Sequence, residues 1–172
     1  MKKNKKYCYE YPRPSVSADC VVIGFDGEKL NVLLIQRKKD PFKNKWAIPG
    51  GFVEMNENTE EGTKRELQEE TGIKKITVEQ LYTFSDVNRD PRGRVISVVY
   101  LAFTKTDQLN PKAGDDAKNV KWIELKKIPS LAFDHKKILQ KAMERLKEKC
   151  KLDILKVELR KKKFTLIEIK NI

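Results

Sequence analysis

A chain of 172 residues, 39% hydrophobic and 36% charged, has the length of one domain and the polar balance of a globular protein with a heavily charged surface. No apolar run approaches the roughly 20 residues that cross a bilayer, so the sequence excludes a helical membrane protein. The basic N-terminus, MKKNKK, leads into Tyr- and Pro-containing sequence rather than an apolar signal core, and a cytoplasmic location is expected.

Residues 16–25 form an apolar, β-branched run and residues 31–37 (NVLLIQR) another, with Asp26-Gly27 in the turn between them; they read as neighbouring strands. Residues 41–51 look like a loop, with Pro49-Gly50-Gly51 ending a short apolar stretch at 46–48. A helix is expected over about 58–71, with Asn58 as N-cap, Glu61 three residues on and Gly72 as the stop. Strands follow at 76–84, 95–104 and 120–124. Residues 91–93 (PRG) turn the chain before the second of these, and 110–118 form a polar loop before the third. Residues 135–150 repeat apolar side chains at helical spacing through Ile138, Leu139, Ala142, Met143 and Leu146. Strands mixed with two helices imply an α+β fold with α/β/α layering. The three cysteines, Cys8, Cys20 and Cys150, are spaced for neither a disulfide framework nor a zinc site, and no chemistry is assigned to them.

The helix at 58–71 carries the chemistry. Glu66, Glu69 and Glu70 stand at i, i+3 and i+4, so three carboxylates share one face. Each like-charged pair at that spacing costs an isolated helix roughly 0.2–0.5 kcal/mol. A divalent cation would offset the repulsion, and hard oxygen donors in this pattern suit Mg²⁺ or Mn²⁺ together with phosphate oxygens. Gly50 and Gly51 allow close approach of the backbone to a metal or phosphate. Arg65 lies one turn before Glu69 and one after Glu61, where it can hold those carboxylates.

A Glu-rich helix alone is by default a solvated face, but the surrounding frame reverses that reading. From Gly51 the sequence runs GFVEMNENTEEGTKRELQEETGI, which places Gly51, Glu57, Arg65, Glu66, Leu67, Glu69, Glu70, Gly72 and Ile73 at the fixed offsets of the Nudix signature without departure. The chain resembles the Nudix hydrolases from about residue 11 to residue 150. That resemblance implies the Nudix fold, a mixed β-sheet between helices. It also implies a metal held by Glu66, Glu69 and Glu70 with the Gly51 carbonyl, and Arg65 and Glu57 orienting that cluster. The reaction implied is metal-assisted attack of water on a diphosphate phosphorus.

The stretch 82–100 (YTFSDVNRDPRGRVISVVY) is similar to the ADP-ribose pyrophosphatase branch of the family, as are 114–117 (GDDA) and 131–135 (LAFDH). The substrate implied is a nucleotide, foremost ADP-ribose, with a triphosphate-cleaning enzyme as the alternative. Arg89, Arg92 and Arg94 are candidates to bind its phosphate or ribose oxygens, and Asp115 or Asp116 for general base or outer metal ligand. Tyr82, Phe84 and Trp46 are candidates to stack on adenine, although aromatics beside strands are more often core. His135, next to Asp134 at a helix start, reads as structural.

The net charge of +12 is uneven: residues 135–172 carry 13 Lys plus Arg against 5 Asp plus Glu, a net of +8. The organisation expected is a Nudix domain over 1–150 and a basic tail over 151–172. In the tail, KFTLIEIKNI (163–172) resembles the opening of the winged helix in Nudix-domain transcriptional regulators of NAD metabolism. The chain stops short of a recognition helix, and the intact Nudix box is unlike those regulators, so an enzyme is expected. The partners expected are the nucleotide and a second copy of the chain, with no membrane and no nucleic acid.

Overall fold

The computed structural model describes residues 9–114 and 117–151. The expectations placed on the tail and on Asp115 and Asp116 lie outside the described residues. The elements are strands β1 (Ser15–Phe25), β2 (Leu30–Arg37), β3 (Trp46–Ala47), β4 (Gly50–Phe52), β5 (Glu79–Phe84), β6 (Val95–Lys105) and β7 (Ala117–Glu124) and two α-helices, α1 (Thr59–Thr71) and α2 (His135–Lys151). One mixed seven-stranded sheet runs β3-β2-β1-β6-β5, with β4 also paired to β1 and β7 to β2.

β1 and β6 are parallel over the full length of both strands, Ser15 against Val95 through Phe25 against Lys105. They are buried on both faces, which is why their sequences are nearly unbroken apolar runs. The faces separate by alternation. Cys20 and Val22 of β1 pack with Leu67 of α1, Leu33 and Tyr100. Val21 and Ile23 pack with Ile138, Leu139, Ala142 and Leu146 of α2. Each fully buried aliphatic side chain there contributes about 1.5–3 kcal/mol. The sheet is thus sandwiched between the two helices, as the α+β expectation required.

Three boundaries differ from those read in the sequence. Ile76 and Val78 are half-buried without strand pairing, packed against the α1-side core, and β5 starts only at Glu79. β7 starts at Ala117, pairing with Arg37 across a bulge at Gln36/Arg37. The stretch 41–51, expected as a loop, contains β3 and part of β4.

That last difference builds the site. β2 pairs with β1 only through Leu30–Val32 against Ile23–Phe25. Beyond that the two strands diverge, and residues 46–52 enter the gap: β3 pairs with Ile35 and Gln36 of β2, then β4 pairs with Ser17, Ala18 and Asp19 of β1. A segment only seven residues long leaves the split incompletely filled, and a small recess opens there.

Candidate active site

Helix α1 is held at both ends by its own sequence. The Asn58 side chain accepts from the Glu61 N–H and the Glu61 carboxylate from the Asn58 N–H, each at 2.9 Å, a complete capping box. Gly72 ends the helix in the left-handed conformation, φ 74°, its N–H donating to the Gln68 carbonyl. The buried stripe of α1 is Thr63, Leu67, Glu70 and Thr71. One carboxylate therefore occupies an inward position of an otherwise apolar and hydroxyl-bearing stripe.

Glu70 receives the Gly50 N–H at 2.9 Å. Its carboxyl is pushed up to about 8, chiefly by burial with Glu66 and Asp19 adding to it, against the Gly50 hydrogen bond and Arg37. Glu66 is also raised, first by burial and then by Glu69 and Glu57, despite its hydrogen bond from Arg65. A Cβ on Gly51 would collide with the Glu66 carboxylate, and one on Gly50 with Asp19 and the Ala18 carbonyl. Glycines let β4 lie directly on this carboxylate cluster.

Arg65 organises the outer side. Its guanidinium grips Glu57 through two bonds of 3.0 and 2.6 Å. It reaches Glu66 at 2.8 Å, Glu69 at 3.1 Å and the Phe52 carbonyl at 3.0 Å. A forked donor suits such planar recognition. It holds the Glu57 carboxyl below its ordinary value. Glu69 is the outermost of the three carboxylates, its side chain 58% exposed.

Sequence reasoning missed Asp19, the single acid within the β1 run. Its carboxylate is buried, accepts a hydrogen bond from the Ser97 hydroxyl, and is raised to about 6, mainly by burial. Arg37, at the end of β2, was also missed. It donates to the Pro41 carbonyl at 2.8 Å and lies 4.8 Å over the Phe133 ring. Burial lowers its pKa, with help from the neighbouring charge of Arg92. The only local signal for either was a charged residue inside or ending an apolar strand.

The recess at the β1/β2 split is lined by these two residues together with Gly50, Gly51, Phe52 and Arg92, among others. The three expected arginines have different fates. Arg92 is at the recess, 42% exposed, held by Asp90 at 2.7 Å and lying 4.7 Å over the Phe52 ring. Arg89 lines the recess too, but its guanidinium is locked to Asp134 by buried bonds of 2.8 and 2.9 Å. Arg94 does not line it; it donates to the carbonyls of Ser85 and Asp86 and closes its own loop.

The candidate aromatics lie away from the recess, and Trp46 and Phe84 pack on the core, the commoner place for aromatics beside strands. Tyr82 is exposed on β5 against Phe84, and Trp46 packs on the α2-side core; neither lines the recess. His135 is buried and its Nδ1 accepts the Ile48 N–H at 2.9 Å. Burial and the nearby Arg89 and Arg37 push it down to about 3, so it is a neutral acceptor pinning residues 46–52. Gly114, just before Asp115 and Asp116, donates to the Glu70 carbonyl at 3.1 Å.

Fold and site define a Nudix hydrolase. The family profile described as NUDIX domain matches residues 13–145, and the chain belongs to that family. It is similar to an ADP-ribose pyrophosphatase of Methanocaldococcus jannaschii, at 45% identity over 140 residues, covering 81% of this chain and 78% of that one. It is also similar to an ADPR-responsive transcriptional repressor of Acinetobacter baylyi, 35% identical over 167 residues, covering 95% of this chain and 66% of that protein. Among solved structures it resembles the NUDIX domain of Shewanella oneidensis NrtR complexed with ADP ribose: TM-score 0.73, 32% identity, covering 79% of this chain and 90% of that one. No helix among the described residues is long and apolar enough to cross a membrane.

Proposed function

We propose that this hydrolase splits ADP-ribose into AMP and ribose 5-phosphate, with water adding to one phosphorus as the bridging oxygen leaves on the other. One observation carries the reading. The buried carboxylate of Glu70 and the half-buried one of Glu66 meet the Gly50–Gly51 backbone at the edge of a recess whose other side is cationic, through Arg37 and Arg92. A diphosphate fits between such groups. The similarity to an enzyme named for that activity supports it.

The donor set fits a hard divalent cation, Mg²⁺ or Mn²⁺. Two carboxyls, each raised by burial and by neighbouring acids, carry a cost of ionisation that a cation would relieve. Among the described residues no three acidic, His or Cys side chains already converge as a cage. The reason is visible: Arg65 stands in as the counter-charge for Glu66 and Glu69. Glu66 and Glu70, with the Gly51 carbonyl and Glu69 beside them, would hold the ion. When bound it supplies positive charge against the diphosphate oxygens and lowers the pKa of the attacking water.

The chain's own groups do the rest. Arg65 and Glu57 hold Glu66 in place, and the Gly50 N–H does the same for Glu70. Arg92, with Phe52 beneath it, binds phosphate oxygens. Asp116 is the candidate to take the proton from water. The protein acts as a homodimer in this reading, which sedimentation checks.

The test is hydrolysis of a panel of ADP-ribose, dinucleotides, sugar nucleotides and triphosphates. ADP-ribose should have the highest kcat/KM; preference for a nucleoside triphosphate would overturn the substrate and leave the family standing. A second reading, a nucleotide-sensing regulator, is favoured by the 167-residue similarity to the repressor. Sequence-selective, sub-micromolar promoter binding at physiological salt would establish it, whereas binding that vanishes with salt reflects only the basic charge.

A further inference from the structure

A diphosphate with a nucleoside at one end needs a place for its base, and the small recess at the β1/β2 split is polar and already committed to the phosphates. A second, open cleft of about 680 Å³ adjoins it, within the range of small-molecule sites. Phe133 and Arg89 line both, so the two lie side by side across these side chains. One wall of the cleft is the ring pair Phe42–Phe133, edge to face with centroids 4.7 Å apart. The other is the loop bearing Val87 and Pro91, where Val87 is 67% exposed.

Two features set these walls apart from ordinary surface. Phe42 and Phe133 have φ of 64° and 50°, and the only other positive-φ residue besides glycine among those described is Asn44, φ 65°, on the same loop as Phe42. For a bulky aromatic side chain the left-handed region is strained, and such strain persists where surrounding structure imposes it, often at ligand sites. Glycine would satisfy the backbone at Phe42 better than phenylalanine does. Nor is the Phe42 ring part of a core, since it is 36% exposed and joins none of the buried apolar clusters. What the ring adds is a flat apolar face beside the recess.

We infer that the cleft between the Phe42–Phe133 pair and the Val87–Pro91 loop is the base subsite, taking the nucleobase of the diphosphate held in the recess. The assignment rests on the hydrolytic reading of the recess. Two apolar walls suit the π-face of a base and suit a hydroxyl-bearing ribose poorly. The rim is polar, with Asn88 and the exposed Asp86–Lys137 ion pair at the mouth to meet the base edge. The ribose at the far end of the substrate then stays on the recess side.

The experiment compares AMP with ribose 5-phosphate as ligands of the full chain by calorimetry, in wild type, Phe42→Gly and Val87→Asp. The first substitution relieves backbone strain and the second alters an exposed residue, so neither is expected to unfold the protein. AMP affinity should fall about 5- to 100-fold in both variants, the size of one base–aromatic stacking contact. Ribose 5-phosphate affinity should hold, and the Phe42→Gly melting temperature should stay level or rise. The kcat/KM ratio for ADP-ribose over a diphosphate with ribose at both ends and no base should fall by the same factor. Equal weakening of both ligands, unchanged AMP binding, or no AMP binding by wild type would overturn the subsite. If wild type cleaves neither diphosphate, the hydrolytic reading fails, and the comparison of the two monophosphates still decides the subsite.

Discussion

Replacing Glu70 by Gln should disable the enzyme and, without metal, make the protein more stable at alkaline pH. Glu70 is 7% exposed and its carboxyl is pushed from an ordinary glutamate value of 4.5 to about 8, mainly by burial and then by Glu66 and Asp19. Because the folded-state value is the raised one, folding favours the protonated form. The stability this group contributes is complete below about pH 4.5, where it is protonated folded or unfolded, and is lost as the pH climbs through about 8. At about 1.4 kcal/mol per decade, the ionised group costs at most about 5 kcal/mol. Relaxation of the folded state around the charge reduces that, and about 2–5 kcal/mol is a fair range.

Glutamine keeps an oxygen to accept the Gly50 N–H and cannot ionise. Urea unfolding in EDTA at pH 5, 7 and 9 should therefore give coincident curves at the lowest pH and a widening advantage for the variant above it. At pH 9 the gain corresponds to roughly 5–15 °C in Tm for a chain of this size. Added Mg²⁺ should reverse the order, stabilising the wild type much more than the variant. The turnover rate should drop by several orders of magnitude. A variant no more stable than wild type at pH 9 in EDTA would refute the claim that Glu70 is a buried charge awaiting a counter-ion. Retained turnover would refute its role in the reaction.

The remaining expectations concern the arginines. Arg92→Ala should lower kcat/KM for ADP-ribose by about 1–3 kcal/mol of transition-state stabilisation, the size of a charged hydrogen bond, and Tm should fall as well, because the buried Asp90 carboxylate loses its ion-pair partner. Arg94→Ala should leave kcat/KM within twofold, because its guanidinium is bonded to the Ser85 and Asp86 carbonyls; a loss equal to that of Arg92→Ala would return it to the binding site. Arg65→Lys keeps the charge but loses the fork that holds Glu57 and Glu66 together. Mg²⁺ titration of activity should show apparent metal affinity weakened about 10- to 100-fold, the usual effect of disturbing groups that orient metal ligands, and unchanged titration would show that Arg65 does not position the cluster.

Helix α1 was legible because every determinant of it is local. The Asn58 cap, the Glu61 partner, the Gly72 stop and the spacing of Glu66, Glu69 and Glu70 all fall within fifteen residues, where 3.6-residue periodicity and capping chemistry decide the outcome. The layering around the sheet followed from strands mixed with two helical segments, each recognised by its own local periodicity. The recess was not legible, since it exists only because β1 and β2 part after Val32 and a segment too short to fill the gap passes between them. Nothing in the stretch 41–51 announces strand pairing, and its Pro and Gly content argues against it. Asp19 and Arg37 become functional candidates only once that split places a strand interior and a strand end on one cavity wall. The arginine cluster at 89–94 shows the converse error. Three cations in six residues read as a single anion site, yet Asp134, distant in sequence, locks Arg89, and the loop's own carbonyls bind Arg94. Charge density along a chain counts guanidinium groups without showing where their partners hold them: Asp134 and the loop carbonyls tie Arg89 and Arg94 into structure, whereas Asp90 and the Pro41 carbonyl hold Arg92 and Arg37 on the wall of the recess.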